Sequence, residues 1–338
     1  MASDRRADGS AGPSEAPSEA LAAATSPALP ERVRIVEVGP RDGFQMEPGF
    51  LPTELKIELI DVLSRSGLAE IEATSFVHPE AIPQLRDAAE VMADIARAPG
   101  VRYSALVPNL RGAERALGAG VDALHMVIAA TETYNRRRVR RGQGAPMAPL
   151  ARTARRAAEA SPAVPVAVTL AVTFGCPFEG QLETGEIVRL ARRVASAGAR
   201  EIGLADTAGL AHPHLVRRIV AEVRGALPDT ALRLHLHDTR GLAPANALAA
   251  MELGVDTFDS AFGGLGGCPI LRGATGNLAT EELVNLCDEL GVATGVDLEV
   301  VQRASRRLAQ HLGRTLPSRV LAAGTREELY RANRGQGE

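Results

Sequence analysis

Lysine is nearly missing from this 338-residue sequence: of its 38 basic side chains, only Lys56 is a lysine. Lys56 falls inside the helical pattern LPTELKIELIDVL, so no lysine is placed to form a Schiff base with a carbonyl substrate. Cysteine is also scarce. Cys176, Cys268 and Cys287 are far apart and odd in number, which excludes a disulfide framework or a Cys-rich zinc module and fits a reducing compartment. The net charge of -3 supplies no basic field for a nucleic-acid backbone, so no nucleic-acid partner is expected. No window approaches the roughly 18 apolar residues of a membrane span, and the N-terminus lacks the apolar stretch of a secretory signal. A cytoplasmic protein with no membrane partner is expected.

The whole sequence is 45% apolar and 23% charged, enough to bury a sizeable core. Residues 1–30 are rich in Ala, Ser, Pro, Gly and Glu without apolar periodicity, and read as a disordered tail. Asp4, Asp8, Glu15 and Glu19 argue against a transit peptide. From Val33 onward, short apolar runs alternate with amphipathic stretches. Strands are expected near 33–38, 69–74, 102–107, 122–128, 164–172, 200–205, 232–237 and 255–261. Helices should follow at 53–66, 80–97, 109–118, 147–160, 182–198, 212–226, 241–253 and 279–290. Eight βα units over residues 31–293 match an α/β (β/α)8 TIM barrel. A doubly wound sheet is the alternative, but no G-x-G-x-x-G follows the first strand. Residues 294–323 read as short extra helices packed on the barrel, and 324–338 as a polar tail.

In such a barrel, chemistry belongs at the C-terminal ends of the strands. Arg41 and Asp42 end the first strand in GPRDGFQ, Glu72 and Ser75 lie on the second, and Asp206 ends the sixth. His235 and His237 are two apart on the seventh, so both imidazoles face one side. With Asp42 they form a two-histidine, one-carboxylate set suited to a divalent cation with open positions. The competing reading has one histidine packed in the barrel and the other capping a helix. Arg41 can polarise a carbonyl oxygen as it becomes an enolate. Glu72 and Asp206 are either acceptors that orient Arg41 and the ligands or proton-transfer groups.

Cys268 follows four glycines in GGLGGCPILRGATGN, a loop able to close over the mouth, and is a candidate acid or base. Cys176 and Cys287 read as inert, although Cys176 also lies at the active face. The run Arg136–Arg141, including Arg138 and Arg140, is either a solvated face or a grip for a phosphate or carboxylate. His78, His125, His212, His214 and His311 read as structural, with His78 the one expected nearest the mouth.

The segments VRIVEVGPRDGFQ, EIEATSFVHPEAIPQL, LVPNLRGAERALGAGVD, GCPFEG, HLHDTRG and GGLGGCPILRGATGNLATEELV resemble the 3-hydroxy-3-methylglutaryl-CoA lyase family over about residues 32–312. The resemblance implies Mg2+ or Mn2+ held by Asp42, His235, His237 and Asn277. It also implies enolate stabilisation by Arg41, acid–base work by Cys268, support of proton transfer and Arg41 by Glu72 and Asp206, an acyl-CoA substrate and a homodimer. His235 is the proposed base, with Asp206 an equal candidate, and Arg138 and Arg140 are candidate CoA or carboxylate contacts. Departures cluster at the mouth: Met46 for the family's usual asparagine, His78 and Gly203 for serines, and Arg138 and Arg140 for asparagines. A close 3-hydroxyacyl-CoA analogue is therefore an open substrate. The rivals are a Claisen-type condensing enzyme, making a 2-hydroxy acid from acetyl-CoA and a 2-oxo acid, and a catalytically silent barrel.

Overall fold

The computed structural model describes residues 28–139, 147–267 and 276–334. Eight parallel strands, β1 (Arg34–Glu37), β2 (Glu70–Ser75), β3 (Arg102–Leu106), β4 (Ala123–Ala129), β5 (Val166–Ala171), β6 (Glu201–Asp206), β7 (Ala231–Leu236) and β8 (Thr257–Ser260), close into a barrel in sequence order. Parallel strands covered on both faces read as short apolar runs, and β5 (VAVTLA) illustrates it. The outer ring is α1 (Thr53–Leu63), α2 (Ala88–Asp94), α3 (Leu110–Gly118), α4 (Met147–Ala158), α5 (Thr184–Ser196), α6 (Pro213–Ala226), α7 (Ala243–Met251) and α8 (Thr280–Glu289). In α6, Leu215, Val216, Ile219, Val220 and Val223 form the single apolar stripe that a helix period of 3.6 turns toward the sheet.

The doubly wound alternative is excluded by the closure of β8 on β1, where Arg34 to Glu37 pair with Thr257 to Ser260. The segment 80–97 differs from the single helix expected there. It forms a short 3-10 turn at Pro83–Leu85 and then α2, because Pro83 supplies no N–H and disfavours helix in the residue before it. Beyond the barrel, α9 (Leu298–Leu312) is capped by Asp297, buries Val301, Ala304 and Leu308, and precedes the short α10 (Arg319–Ala323).

Part of the expected polar tail is a helix, α11 (Arg326–Arg334), with no buried residue. A capping box begins it: the Thr325 N–H donates to Glu328 Oε2 at 2.6 Å, and the Glu328 N–H to Thr325 Oγ1 at 3.2 Å. Residues 1–27 of the expected N-terminal tail lie outside the described residues.

The N-terminal end of the barrel interior is filled by charge pairs. Arg233, 1% exposed, meets Glu201 at 2.8 Å and Asp259 at 3.1 Å, while Arg34 pairs with Glu70 and Glu201. This closed layer leaves the opposite end for a cavity.

Candidate active site

The chain leaves β1 in a wide helical turn, Gly39–Gly43, in which the Val38 carbonyl accepts from the Arg41 and Asp42 N–H groups at 3.1 and 2.7 Å. Gly39 is required by close approach, since a Cβ there would lie 2.5 Å from Phe262 Cδ1. The turn places Arg41 and Asp42 in a cavity of about 590 Å³ at the C-terminal mouth, within the usual range for small-molecule sites. His125, Thr169, His235 and His237 line the same space, as do Gln45 and Met46.

Arg41 is nearly buried. Its Nε donates to Glu72 Oε1 at 2.5 Å and its Nη1 pairs with Asp42. Asp42 also accepts from Gln45 Nε2 and Asn277 Nδ2, each at 2.8 Å. Burial opposes its charge, but Arg41, His235 and His237 together hold Asp42 down at about 2. Glu72 is likewise held at about 2, where Arg41 and His125 outweigh its burial.

His235 and His237 come from the end of β7 and the residue just after it. Burial works against a charged His235, but Asp259, bonded to its Nδ1 at 3.0 Å, raises the imidazole pKa. That bond turns Nε2 toward His237, and the two Nε2 atoms stand 3.2 Å apart. Two imidazole lone pairs can face each other so closely only with a proton or a cation between them. One donor atom each from Asp42, His235 and His237 lies within 4.8 Å of the others, so the three could hold a metal ion. Asn277 adjoins them, and its Oδ1 is buried without a hydrogen-bond partner among the described residues. The donor set and this oxygen fit a divalent cation.

Asp206 ends β6 as expected, but its oxygens accept from the backbone N–H groups of Leu210 at 2.7 Å and Ala211 at 3.1 Å. It braces the loop after β6, and burial raises its pKa to about 6 against those hydrogen bonds. Glu72, not Asp206, touches Arg41. His78 is not part of the cavity wall; its side chain is 68% exposed and lies 3.9 Å from Glu80.

Cys287 is buried and its thiol is pushed up to about 12 by desolvation, an inert group. Cys176 is buried 3.2 Å from Thr131 Oγ1. Cys268, Arg140 and the side chain of Arg138 lie outside the described residues, although Gly267, just before Cys268, lines the cavity.

Two site residues escaped the sequence reading. Asp259 on β8 orients His235, and its only signal was an acid next to the last residue of the eighth strand, in VDTFDSA. His125 on β4, read as structural, lies in the cavity wall.

The HMGL-like family model matches residues 32–308. The chain belongs to this family. It is 39% identical over 319 residues to the 3-hydroxy-3-methylglutaryl-CoA lyase, cytoplasmic, of Rattus norvegicus, covering 92% of each chain. The crystal structure of the Bacillus subtilis HMG-CoA lyase superimposes with a TM-score of 0.84 at 40% identity, over 87% of this chain and 98% of that one. An HMG-CoA lyase from Acinetobacter baumannii, solved in complex with coenzyme A and 3-methylmalate, gives a TM-score of 0.82 at 43% identity, over 88% and 96% of the two chains. Among the described residues, no helix of this HMGL-like protein is long and apolar enough to cross a membrane.

Proposed function

We propose that this protein is a divalent-metal-dependent carbon–carbon lyase. It cleaves 3-hydroxy-3-methylglutaryl-CoA, or a close 3-hydroxyacyl-CoA analogue, to acetyl-CoA and acetoacetate or the matching 3-oxo acid. The observation that carries this reading is the convergence of Asp42, His235 and His237 beside an arginine whose Nε and Nη1 are already committed to carboxylates. Mg2+ or Mn2+, held by those three residues and Asn277, would supply Lewis acidity that makes the tertiary hydroxyl easier to deprotonate.

The other contributions come from the chain. In the proposed sequence the C3 hydroxyl loses its proton to Asp206, because His235, the other candidate, has Nδ1 on Asp259 and Nε2 in the metal set. The C2–C3 bond then breaks, and its electron pair moves into the thioester as an enolate. Arg41 Nη2, unpartnered among the described residues, would meet the enolate oxygen while Glu72 and Asp42 hold the rest of the guanidinium still. Cys268 would return a proton to C2 and give the methyl group of acetyl-CoA. Arg138 and Arg140 would contact the CoA phosphates or a carboxylate. A homodimer and a cytoplasmic setting belong to the same proposal, the latter supported by the low cysteine count.

The test is thioester cleavage by purified protein with Mg2+ or Mn2+, comparing 3-hydroxy-3-methylglutaryl-CoA with longer 3-hydroxy-3-carboxymethyl acyl-CoAs, with Cys268→Ala as control. Metal-dependent cleavage of the first, lost in the control, is expected. Turnover of a longer thioester alone would move the substrate assignment to the pocket around Met46 and Gly203. Condensation of acetyl-CoA with a 2-oxo acid, without cleavage, would overturn the lyase reading.

A further inference from the structure

His125 is 2% exposed in the middle of β4, and its ring spans the barrel interior between two other strands. Nδ1 lies 2.8 Å from Glu72 Oε2 on β2, and Nε2 lies 2.7 Å from Thr169 Oγ1 on β5. An ionised carboxylate only accepts, so Nδ1 carries the hydrogen in this pair. Glu72 is thereby gripped at both ends: Oε2 by His125, and Oε1 by Arg41 Nε at 2.5 Å. The terminal torsion of a glutamate is otherwise broad, so a carboxylate held through one oxygen could swing.

The arrangement depends on a third strand as well. A Cβ on Gly203 of β6 would lie 2.2 Å from Thr169 Oγ1, so the missing side chain there makes room for the hydroxyl that holds the far side of the imidazole. His125, Thr169 and Arg41 all line the mouth cavity. A histidine serving only to fill the interior would not need one nitrogen on the acid that holds Arg41 and the other on the hydroxyl of a residue that lines the cavity.

We propose that His125 is a positioning residue for the lyase reaction: by holding Glu72 Oε2 from β4, it fixes the Arg41 guanidinium in the orientation that receives the thioester enolate oxygen. The inference rests on the reading of Arg41 given above. Its substrate is the same acyl-CoA, and its effect belongs in the chemical step.

The two ring nitrogens can be replaced separately. In His125→Asn the amide nitrogen stands near the position of Nδ1 and keeps a donor on Glu72. In His125→Gln the amide reaches instead toward Thr169. Purified full-length variants are assayed with 3-hydroxy-3-methylglutaryl-CoA and Mg2+ or Mn2+. We expect His125→Gln to lower kcat about 10- to 100-fold with KM within about twofold, the range seen when an outer support of a reactive group is lost. His125→Asn should stay within about fivefold of the parent by the same measure.

Because His125 acts through Glu72, its loss should not multiply with loss of that acid. In a Glu72→Gln background, His125→Gln should cost less than about threefold more. Multiplying losses, equal loss in the two His125 variants, or an effect confined to KM would overturn the proposal. If His125→Gln does not fold, His125→Phe fills the space without a donor and asks the same question. Full activity in Glu72→Gln alone would overturn the Arg41–Glu72 reading and this inference with it, whereas an impaired Glu72→Gln beside a fully active His125→Gln would overturn only the inference.

Discussion

Arg233 and Arg41 are both buried arginines held by carboxylates inside one barrel, and they are used differently. Around Arg233, Glu201, Asp259 and Glu70 all face the guanidinium, at 2.8, 3.1 and 3.9 Å. Around Arg41, Glu72 and Asp42 hold two of the nitrogens while the group borders the cavity. A charge surrounded by partners holds a fold together, whereas one held on two sides and open on the third is arranged to meet a ligand. Asp259 joins the two regions, with Oδ1 on Arg233 and Oδ2 on His235.

That contrast makes opposite predictions for the two ends, and the largest concerns His237. In His237→Gln, thioester cleavage should fall by about 10³-fold or more, because the Lewis acid is worth several kcal/mol in the transition state. Mn2+ should raise the Tm of the parent and leave that of the variant unmoved. An active variant, or one still stabilised by Mn2+, would remove His237 from the metal site.

Arg233→Met is the mirror experiment. It leaves the fully buried Asp259 with only His235 and takes from Glu201 one of its two arginines, and breaking such a buried pair costs about 3–5 kcal/mol. A Tm drop of roughly 10 °C is expected from that loss, with kcat of the folded fraction within about tenfold because Asp259 still holds His235. Melting curves with and without metal, read beside kcat, separate the two effects. A stable but inactive variant would place Arg233 with the chemistry and erase the distinction.

The barrel itself was legible because strands covered on both faces must be apolar, and because the helices between them carry a 3.6-residue stripe. Asp42, His235 and His237 could be found because strand ends are where a barrel exposes side chains, and a spacing of two puts both imidazoles on one face. Asp259 and His125 could not be assigned in this way. Their partners come from other strands, 24 positions away for His235, and 53 and 44 positions away for Glu72 and Thr169. Only the register of the closed sheet brings them into contact. His78 misled for the converse reason: it is near the mouth along the chain, yet its side chain is exposed. The Thr325–Glu328 capping box was in the sequence, and its polar surroundings disguised the helix it starts.

The smallest effect is expected outside both arginine clusters, at two buried acids around the C-terminal ends of β1 and β8 that meet no arginine among the described residues. Glu37 accepts from the Gly39 N–H at 2.7 Å, the Phe262 N–H at 3.0 Å and the Thr280 hydroxyl at 2.6 Å, yet desolvation still raises it to about 8. Glu281, under the Gly263 N–H and the Ser305 hydroxyl, is raised by burial to about 7. Both values lie above the ordinary 4.5, so the fold prefers the protonated acids. Their contribution to stability is complete below about pH 4.5 and is lost as the pH rises through 7 and 8. Tm should therefore fall between about pH 5 and pH 8 and level off above it, by an amount equivalent to several kcal/mol at most. Glu37→Gln cannot ionise and should flatten that slope, even if it starts from a lower Tm. A slope left unchanged in Glu37→Gln and in Glu281→Gln would mean that acids without a cation are as well accommodated here as those around Arg233, and that these two belong with the closed network.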